Sequence, residues 1–153
     1  MAYEIHRTDL PESEAVSIRT AVPLEELQAF FGEAFHKLSE AIELGGANPG
    51  GPPFVRYYSV SPTHVEVEAV MPCDSAVLAR GRVHPLRLSA TPAAYVRHVG
   101  HYEKLRPAYD AITEWMSEHG KHATEPPREL YVTSPAEDPD PSEWVTLVEQ
   151  PID

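Results

Sequence analysis

Two stretches of this chain follow the same plan, and this internal repeat limits the possible fold more than any other sequence feature. The first stretch reads AVSIRTAVPLEELQAFFGEAFHKLSEAIE and then, after a loop, GPPFVRYYS; the second reads AAYVRHVGHYEKLRPAYDAITEWMSEHG and then EPPRELYVT. Each has a β-rich run, a long segment whose apolar residues recur at the spacing of a helix, a proline pair and another β-rich run. Arg19 aligns with Arg97, and Pro52–Pro53 align with Pro126–Pro127. Few residues are identical, so the repeat is structural.

The repeat predicts an α+β fold of two βαββ modules, related by a pseudo-twofold axis, with antiparallel sheets and two long helices. Module 1 covers about residues 13–72, module 2 covers about 92–152, and the linker 73–91 contributes a strand. An N-terminal strand attaches at an edge, so the 153 residues form one domain with two halves. With the helices on one side, a central ligand cleft is expected on the other sheet face or where the halves meet.

Two segments have the spacing of amphipathic helices. The first begins near Pro23, which suits a first helical turn, and ends at Gly45–Gly46. The second, YEKLRPAYDAITEWMSEHG, begins at Tyr102 and ends at Gly120. The predicted apolar stripes are Leu24, Leu27, Phe31, Phe35, Leu38 and Ile42 in the first helix, and Leu105, Tyr109, Ile112 and Met116 in the second.

The charge balance narrows the range of partners. There are 12 Lys+Arg against 24 Asp+Glu, which gives a formal net charge of −12 at pH 7. Because binding to phosphates needs clustered Lys and Arg, we expect neither nucleic acid nor a membrane as a partner, whereas a cationic small molecule or a basic protein suits an acidic surface. The N-terminus MAYEIHRTDLPESE lacks the apolar core of a signal peptide, and no apolar run reaches membrane-spanning length. A cytoplasmic location is therefore expected.

The sequence predicts no metal site and no cofactor. Cys73 is the one cysteine, which leaves neither a disulfide nor a thiolate cluster. His98 and His101, and likewise His119 and His122, are three residues apart, but neither pair has an evident third ligand. The chain has no glycine-rich phosphate loop after a strand and no Gly-x-Ser-x-Gly motif.

Glu129, in the stretch EPPRELYVTSP, is the most informative charged residue. Alternation along a strand places Glu129 and Tyr131 on one face and Arg128 on the other. The repeat aligns Val55 with Glu129 and Tyr57 with Tyr131. A carboxylate among aromatic rings has a raised pKa, attracts organic cations and can act as a general base. A surface glutamate that tyrosines merely flank fits the same pattern, and alternation alone leaves both interpretations open.

Five motifs occur in a fixed order between Gly51 and Ile152, within a resemblance that runs from about Val16 to Ile152: GPPFVRYYS, HVEVEAVMP, HVGHYEKL, PPRELYVTSP and WVTLVEQPI. Together they resemble the GyrI-like small-molecule-binding domain, also called the AraC/Rob-type effector-binding domain. The resemblance implies two βαββ modules around a cleft that binds hydrophobic, often cationic compounds. In multidrug-sensing relatives a glutamate of the penultimate strand lies in that cleft, and Glu129 matches its position.

The resemblance also implies a set of ligand-binding residues. The family's aromatic positions match Tyr57 and Tyr102. The expected ligand-binding residues are Tyr57, Tyr102, Glu129 and Tyr131, with Val55, Val96 and Trp115 as further lining residues. Arg128 departs from the family, because many relatives carry an aromatic or small residue before the glutamate. If Arg128 paired with Glu129 it would lower the pKa of that carboxyl, whereas burial without a cation would raise the pKa above about 4.3.

Three functions are compatible with the resemblance. Relatives fused to a helix-turn-helix regulate transcription, and 153 residues leave no room for that module, so a stand-alone domain is expected. The first function is binding of a hydrophobic, in some relatives cationic, small molecule for sequestration or sensing. The second is a hydrolase that opens cyclopropane rings, with Glu129 as general base and Tyr57 placing the electrophile. The third is an acidic protein inhibitor of the gyrase-inhibitor type, with a protein partner that the sequence does not identify.

Overall fold

The computed structural model describes residues 3–133 and 140–153, apart from the side chain of Tyr102. These residues form eight strands and two α-helices. The strands are β1 (His6–Leu10), β2 (Ser13–Pro23), β3 (Phe54–Val60), β4 (His64–Cys73), β5 (His84–Leu88), β6 (Thr91–Val99), β7 (Arg128–Tyr131) and β8 (Val145–Pro151), and the helices are α1 (Leu27–Leu44) and α2 (Arg106–Glu118). Neither helix is long and apolar enough to cross a membrane, and no other described segment forms a helix that could.

The chain divides into two compact units, each with four antiparallel strands and one helix. The terminal unit comprises Met1–Leu10 and Thr91–Asp153, and the inserted unit comprises Pro11–Ala90. In the terminal unit the strand order is β1-β6-β8-β7, with α2 packed on β6 and β8. In the inserted unit the order is β3-β4-β2-β5, with α1 packed on β2 and β4. The predicted α+β fold class is therefore confirmed. The strand predicted in the linker is β5, and it pairs with β2.

The strand registers reproduce the alignment of the two repeats. In the inserted unit Val55 lies opposite Ala69, which lies opposite Ile18. In the terminal unit Glu129 lies opposite Val148, which lies opposite Val96. Since directly opposed residues of antiparallel strands point to the same face, each unit has one such row across three strands. The position that holds Val55 in one row holds Glu129 in the other.

The first α-helix begins at Leu27, later than predicted, and ends where the sequence predicted, but a different face of it is buried. A 3-10 turn over Leu24–Glu26 follows Pro23, and Gly46 ends the helix with a φ of 74°, a value that favours glycine. The predicted stripe is wrong at its N-terminal half: Leu24 is 40% exposed and Phe31 and Phe35 are only partly buried. The residues of α1 that are buried are Phe30, Ala34, Leu38, Ala41 and Ile42. The alanines have no bulk to hold the helix away from the sheet, which explains why this face packs inward.

The second helix starts later than predicted. Pro107 fits only in the first turn of a helix, and α2 accordingly begins at Arg106, after a separate 3-10 turn over Tyr102–Lys104. Gly120, with a φ of 64°, follows its end. The predicted stripe is confirmed: it faces a core cluster of Val96, Leu105, Ala108, Ile112 and Val148, with Tyr109 and Met116 packed against it.

Candidate functional site

Glu129 points towards the helix-covered face of the terminal unit. Its cross-strand neighbours Val148 and Val96 belong to the core cluster that packs under α2. The carboxylate therefore lies on the face where every neighbour in the row is apolar, and only 6% of the residue is exposed. Burial of a carboxylate at such a position has a high free-energy cost unless the group is hydrogen-bonded or paired.

Two tyrosines supply hydrogen bonds to this carboxylate. Tyr131, two residues along the same strand, donates a hydrogen bond from its phenol hydroxyl to Oε1 of Glu129 at 2.7 Å. Tyr109, on α2, donates a hydrogen bond from its phenol hydroxyl to Oε2 of Glu129. Each carboxylate oxygen thus accepts one hydrogen bond from a neutral aromatic donor, and Glu129 forms no ion pair with any described residue.

Burial without a counter-charge sets the ionisation of Glu129. Desolvation raises the pKa of Glu129 above its ordinary value, and the hydrogen bonds from Tyr109 and Tyr131 offset only part of that rise because phenols stabilise the ionised form without neutralising it. When Glu129 is ionised, no cationic side chain among the described residues neutralises its charge.

Arg128 lies on the opposite face of β7. Its cross-strand neighbour is Glu149, and Arg128 partly offsets the rise that burial causes in the pKa of that carboxyl. Arg128 is itself 5% exposed. The pKa of Glu129 has no contribution from Arg128, in agreement with the alternation of side chains along a strand.

The inserted unit contains a buried glutamate in the opposite electrostatic situation. Glu68 on β4 pairs with Arg56 on β3, with Nε and Oε1 2.6 Å apart and side-chain exposures of 8% and 7%. Tyr58 also donates to Glu68, at 2.7 Å. Burial acts to raise the pKa of Glu68, but the hydrogen bonds from Tyr58 and Arg56 outweigh it and the pKa is lowered. The two units therefore hold one buried carboxylate with a cation and one without.

The other residues predicted for the site lie in several environments. Tyr131 contacts Glu129 directly, and Val96 is a core residue in the same row. Val55 is fully buried on β3 of the inserted unit, and Tyr57 is partly buried two residues further along. Trp115 lies on another face of α2, where its ring stacks on His119. The prediction for Tyr102 falls on a side chain outside the described residues.

Sequence reasoning assigned Tyr109 to the apolar stripe of α2 and missed its role at Glu129. The ring does pack against the core cluster, but its hydroxyl reaches across to β7. The available signal was the residue type itself, because a tyrosine among leucine and isoleucine on a buried stripe needs a hydrogen-bond partner for its hydroxyl.

Three of the four paired histidines, His98, His119 and His122, form hydrogen bonds with other parts of the chain. His98 interacts with the hydroxyl of Tyr3 at 2.7 Å, and Nδ1 of His122 lies 2.9 Å from Asp153. His119 Nδ1 lies 2.8 Å from the carbonyl oxygen of Trp115. Among the residues that the structure describes, no three histidine, cysteine or acidic side chains are grouped so that they could hold a metal ion.

The family model described as a GyrI-like small molecule binding domain matches residues 3–153 of the chain. The chain belongs to this family. Among solved structures, the C-terminal domain of EcmrR is similar to this GyrI-like chain with a TM-score of 0.86 and 23% identity, over 100% of this chain and 99% of that one. The chain spans 58% of the longer EcmrR chain seen in a cryo-EM complex with DNA, with a TM-score of 0.84.

Two further solved structures share the GyrI-like fold at lower identity. One is a hydrolase from Listeria innocua, with a TM-score of 0.68 and 12% identity over 99% of this chain and 93% of that one. The other is SAV2435 bound to tetraphenylphosphonium, with a TM-score of 0.62 and 12% identity over 100% of this chain and 94% of that one. At these identities the likeness shows the fold alone. No curated protein sequence matches the chain.

Proposed function

We propose that this GyrI-like domain binds a hydrophobic organic cation, with Glu129 as the counter-charge and the rings of Tyr109 and Tyr131 as contact surfaces. The observation that carries the proposal is the environment of Glu129. The residue is 6% exposed and accepts hydrogen bonds from two phenols, but it forms no ion pair with a cation within the described ranges. The roles of Tyr57, Tyr102 and Val55, and the cleft predicted from the sequence, stay predictions.

The free energy that a cation would release at this position has a clear source. A buried carboxylate loses most of its hydration, and two neutral hydrogen bonds restore only part of it. A permanent cation at the carboxylate supplies the missing charge where the effective dielectric constant is low, so the attraction is stronger than at the surface. Aromatic rings add cation–π and apolar contacts to the same ligand.

Two independent facts support this class of ligand. The family to which the chain belongs is one of small-molecule-binding domains. A structural neighbour, SAV2435, was solved bound to tetraphenylphosphonium, a lipophilic cation. The net charge of −12 favours approach of a cation in general, and Glu129 is the buried group that such a ligand would recognise.

The test is a titration of tetraphenylphosphonium against the wild-type domain and Glu129→Gln. Glutamine keeps the size of the side chain but removes its charge and replaces one acceptor oxygen by an NH2 donor, so we expect the affinity to fall roughly tenfold or more. Glu149→Gln is the matched control, because it removes a partly buried carboxylate from the opposite face of the neighbouring strand. Equal affinity of the wild type and Glu129→Gln would show that Glu129 does not recognise the cation.

A hydrolase is the second candidate function. The observation that favours it is the raised pKa of Glu129, because a general base works best with a pKa near the pH of the reaction. In this reaction Glu129 takes a proton from water, and the water oxygen bonds to a cyclopropane carbon as one C–C bond of the ring breaks. The electron pair of that bond passes to the rest of the ligand, which takes up a proton. Incubation with a cyclopropane-bearing alkylating compound, followed by mass spectrometry, tests it. Turnover by the wild type that Glu129→Gln abolishes without loss of binding would establish the hydrolase.

A further inference from the structure

A surface groove in the terminal unit lies between α2 and the N-terminal segment, with a cavity volume of about 450 Å³. We call it the α2 groove. Its principal lining residues are Tyr3, Ile5, Asp110, Glu114, Trp115 and Glu118. Part of the lining is aromatic and aliphatic (Tyr3, Ile5 and Trp115), which we call the aromatic wall, and part is a row of carboxylates on α2, which we call the acidic wall. Its volume lies within the range of about 300–1,000 Å³ that is common for small-molecule sites.

The aromatic wall is fixed in place by contacts outside the groove. Nε2 of His98 lies 3.1 Å from the carbonyl oxygen of His101, which can only accept, so Nε2 carries the proton. Nδ1 of His98 therefore accepts the hydrogen bond from the hydroxyl of Tyr3 at 2.7 Å. Trp115 stacks on His119 with 4.3 Å between ring centroids. Both rings are thus already oriented before any ligand binds, which lowers the entropy cost of binding.

The acidic wall follows one row of the helix. Asp110, Glu114 and Glu118 are four residues apart, so each is about 6 Å further along the helix axis than the last. Like charges at this spacing destabilise a helix. None of the three forms an ion pair with another residue in the ranges 3–133 and 140–153. The row therefore offers three negative charges to a partner from outside the chain.

The ring of Trp115 also interacts with a cation of the chain, Arg7, which is not one of the residues that line the groove. The guanidinium of Arg7 lies 5.8 Å from the centroid of the Trp115 ring, within the distance of a cation–π interaction.

We propose that the α2 groove is a second binding site, separate from Glu129, for a linear aliphatic amine that carries two or three ammonium groups. Ammonium groups joined by short methylene chains match the spacing of Asp110, Glu114 and Glu118. The methylenes then lie against Tyr3, Ile5 and Trp115, where their burial is favourable. A single metal ion does not fit, because carboxylates about 6 Å apart along a helix cannot all reach one ion at 2.0–2.6 Å.

The α2 groove and the Glu129 site lie on different faces of the helix. Tyr109, which contacts Glu129, and Trp115, which lines the groove, are six residues apart, which is about 120° around the helix axis. The two sites therefore use different residues, and the failure of one proposal does not imply the failure of the other.

The test is a titration with spermidine, followed by NMR through the indole N–H of Trp115 and by calorimetry. Butylamine, with one charge, and Mg²⁺, with two charges but no methylenes, are the ligand controls. We expect Glu114→Gln to weaken spermidine binding about threefold, and the triple variant Asp110→Asn/Glu114→Gln/Glu118→Gln to weaken it by roughly tenfold or more. Glu25→Gln is the charge-matched control, since Glu25 is an exposed acid in the inserted unit, and we expect it to leave the affinity unchanged.

Several results would overturn the proposal. If Glu25→Gln weakens spermidine binding as much as Glu114→Gln does, the attraction is that of any acidic surface. The same conclusion follows if Mg²⁺, at the same ionic strength, occupies the groove with an affinity equal to that of spermidine. If Trp115→Leu, in a variant shown by circular dichroism to be folded, leaves the affinity unchanged, the apolar wall takes no part. Glu129→Gln should not alter spermidine binding, and a loss in that variant would place the amine at the other site.

Discussion

The phenol of Tyr109 on α2 donates a hydrogen bond to the carboxylate of Glu129 on β7, across 20 positions of the sequence. The second phenol at Glu129, that of Tyr131, comes from the same strand. One of the two donors is therefore positioned by the strand that carries the carboxylate, and the other by the helix that covers it. The bond from Tyr109 thus links α2 to the ionisation state of Glu129.

Replacement of Tyr109 by phenylalanine should raise the pKa of Glu129 further. The hydroxyl of Tyr109 stabilises the ionised carboxylate and so lowers the pKa of Glu129. Phenylalanine keeps the ring but removes the hydroxyl, so the rise in the pKa that burial causes is offset less. We expect the variant to lose about 1–3 kcal/mol of unfolding free energy at a pH where Glu129 is ionised. The carboxyl pKa can be measured by carbon-13 NMR, with Tyr131→Phe as the variant that should shift it in the same direction. An unchanged or lowered pKa in Tyr109→Phe would contradict the assigned hydrogen bond.

The two buried glutamates should affect the pH dependence of stability with opposite signs. The folded-state pKa of Glu129 lies above its unfolded value, so its contribution is fully present below about pH 4.3 and is lost as the pH rises through the folded pKa. The folded-state pKa of Glu68 is lowered, so its contribution is present above about pH 4.3 and is lost as the pH falls through the folded pKa. Urea denaturation at a series of pH values measures both.

The variants Glu129→Gln and Glu68→Gln separate these effects from the titration of other groups. Relative to the wild type, Glu129→Gln should gain stability as the pH rises above about 4.3, whereas the deficit of Glu68→Gln should shrink as the pH falls below about 4.3. Glu149, whose pKa is also raised, should behave like Glu129 when replaced by glutamine. Parallel pH profiles for Glu129→Gln and Glu68→Gln would show that the two carboxylates do not differ as described.

The ion pair of Arg56 and Glu68 should be costly to break but not to replace. Arg56→Met leaves Glu68 buried without its cation, and we expect a loss of about 3–5 kcal/mol. The double variant Arg56→Met/Glu68→Leu removes both charges, and its stability should return to within about 1–2 kcal/mol of the wild type. Urea unfolding of the wild type, the single variant and the double variant gives both values. A double variant as unstable as the single one would mean that the pair is required for the packing of β3 on β4.

The strand arrangement was predictable because the repeat and the period-2 alternation act over long, regular stretches. The alignment of Val55 with Glu129 predicted equivalent positions, and the registers place each at the same end of equivalent three-strand rows. Alternation also predicted that Arg128 and Glu129 point to opposite faces. These inferences needed only the geometry of a strand, which a sequence expresses directly.

The buried face of α1 and the partner of Glu129 were not predictable in the same way. The apolar residues of α1 cover more than one stripe, so spacing favoured Phe31 and Phe35 while the structure buries Phe30 and the small Ala34 instead. The choice depends on how closely the helix approaches the sheet, which is a property of packing. Tyr109 lies on the predicted stripe, but which strand its hydroxyl reaches depends on the position of the helix over the sheet.

The affinity of the domain for a permanent cation should rise with pH through the folded-state pKa of Glu129. Tetraphenylphosphonium does not titrate, so a change in its binding reports the protein alone. Only the ionised carboxylate attracts the cation, and its population grows by at most about tenfold per pH unit below the pKa. Because burial raises the pKa of Glu129, this increase should lie above about pH 4.3, where exposed glutamates are already ionised. Titrations at several pH values and constant ionic strength should show a flat profile for Glu129→Gln and a wild-type slope for Glu149→Gln. A wild-type affinity that is independent of pH across this range would mean that Glu129 is not the counter-charge.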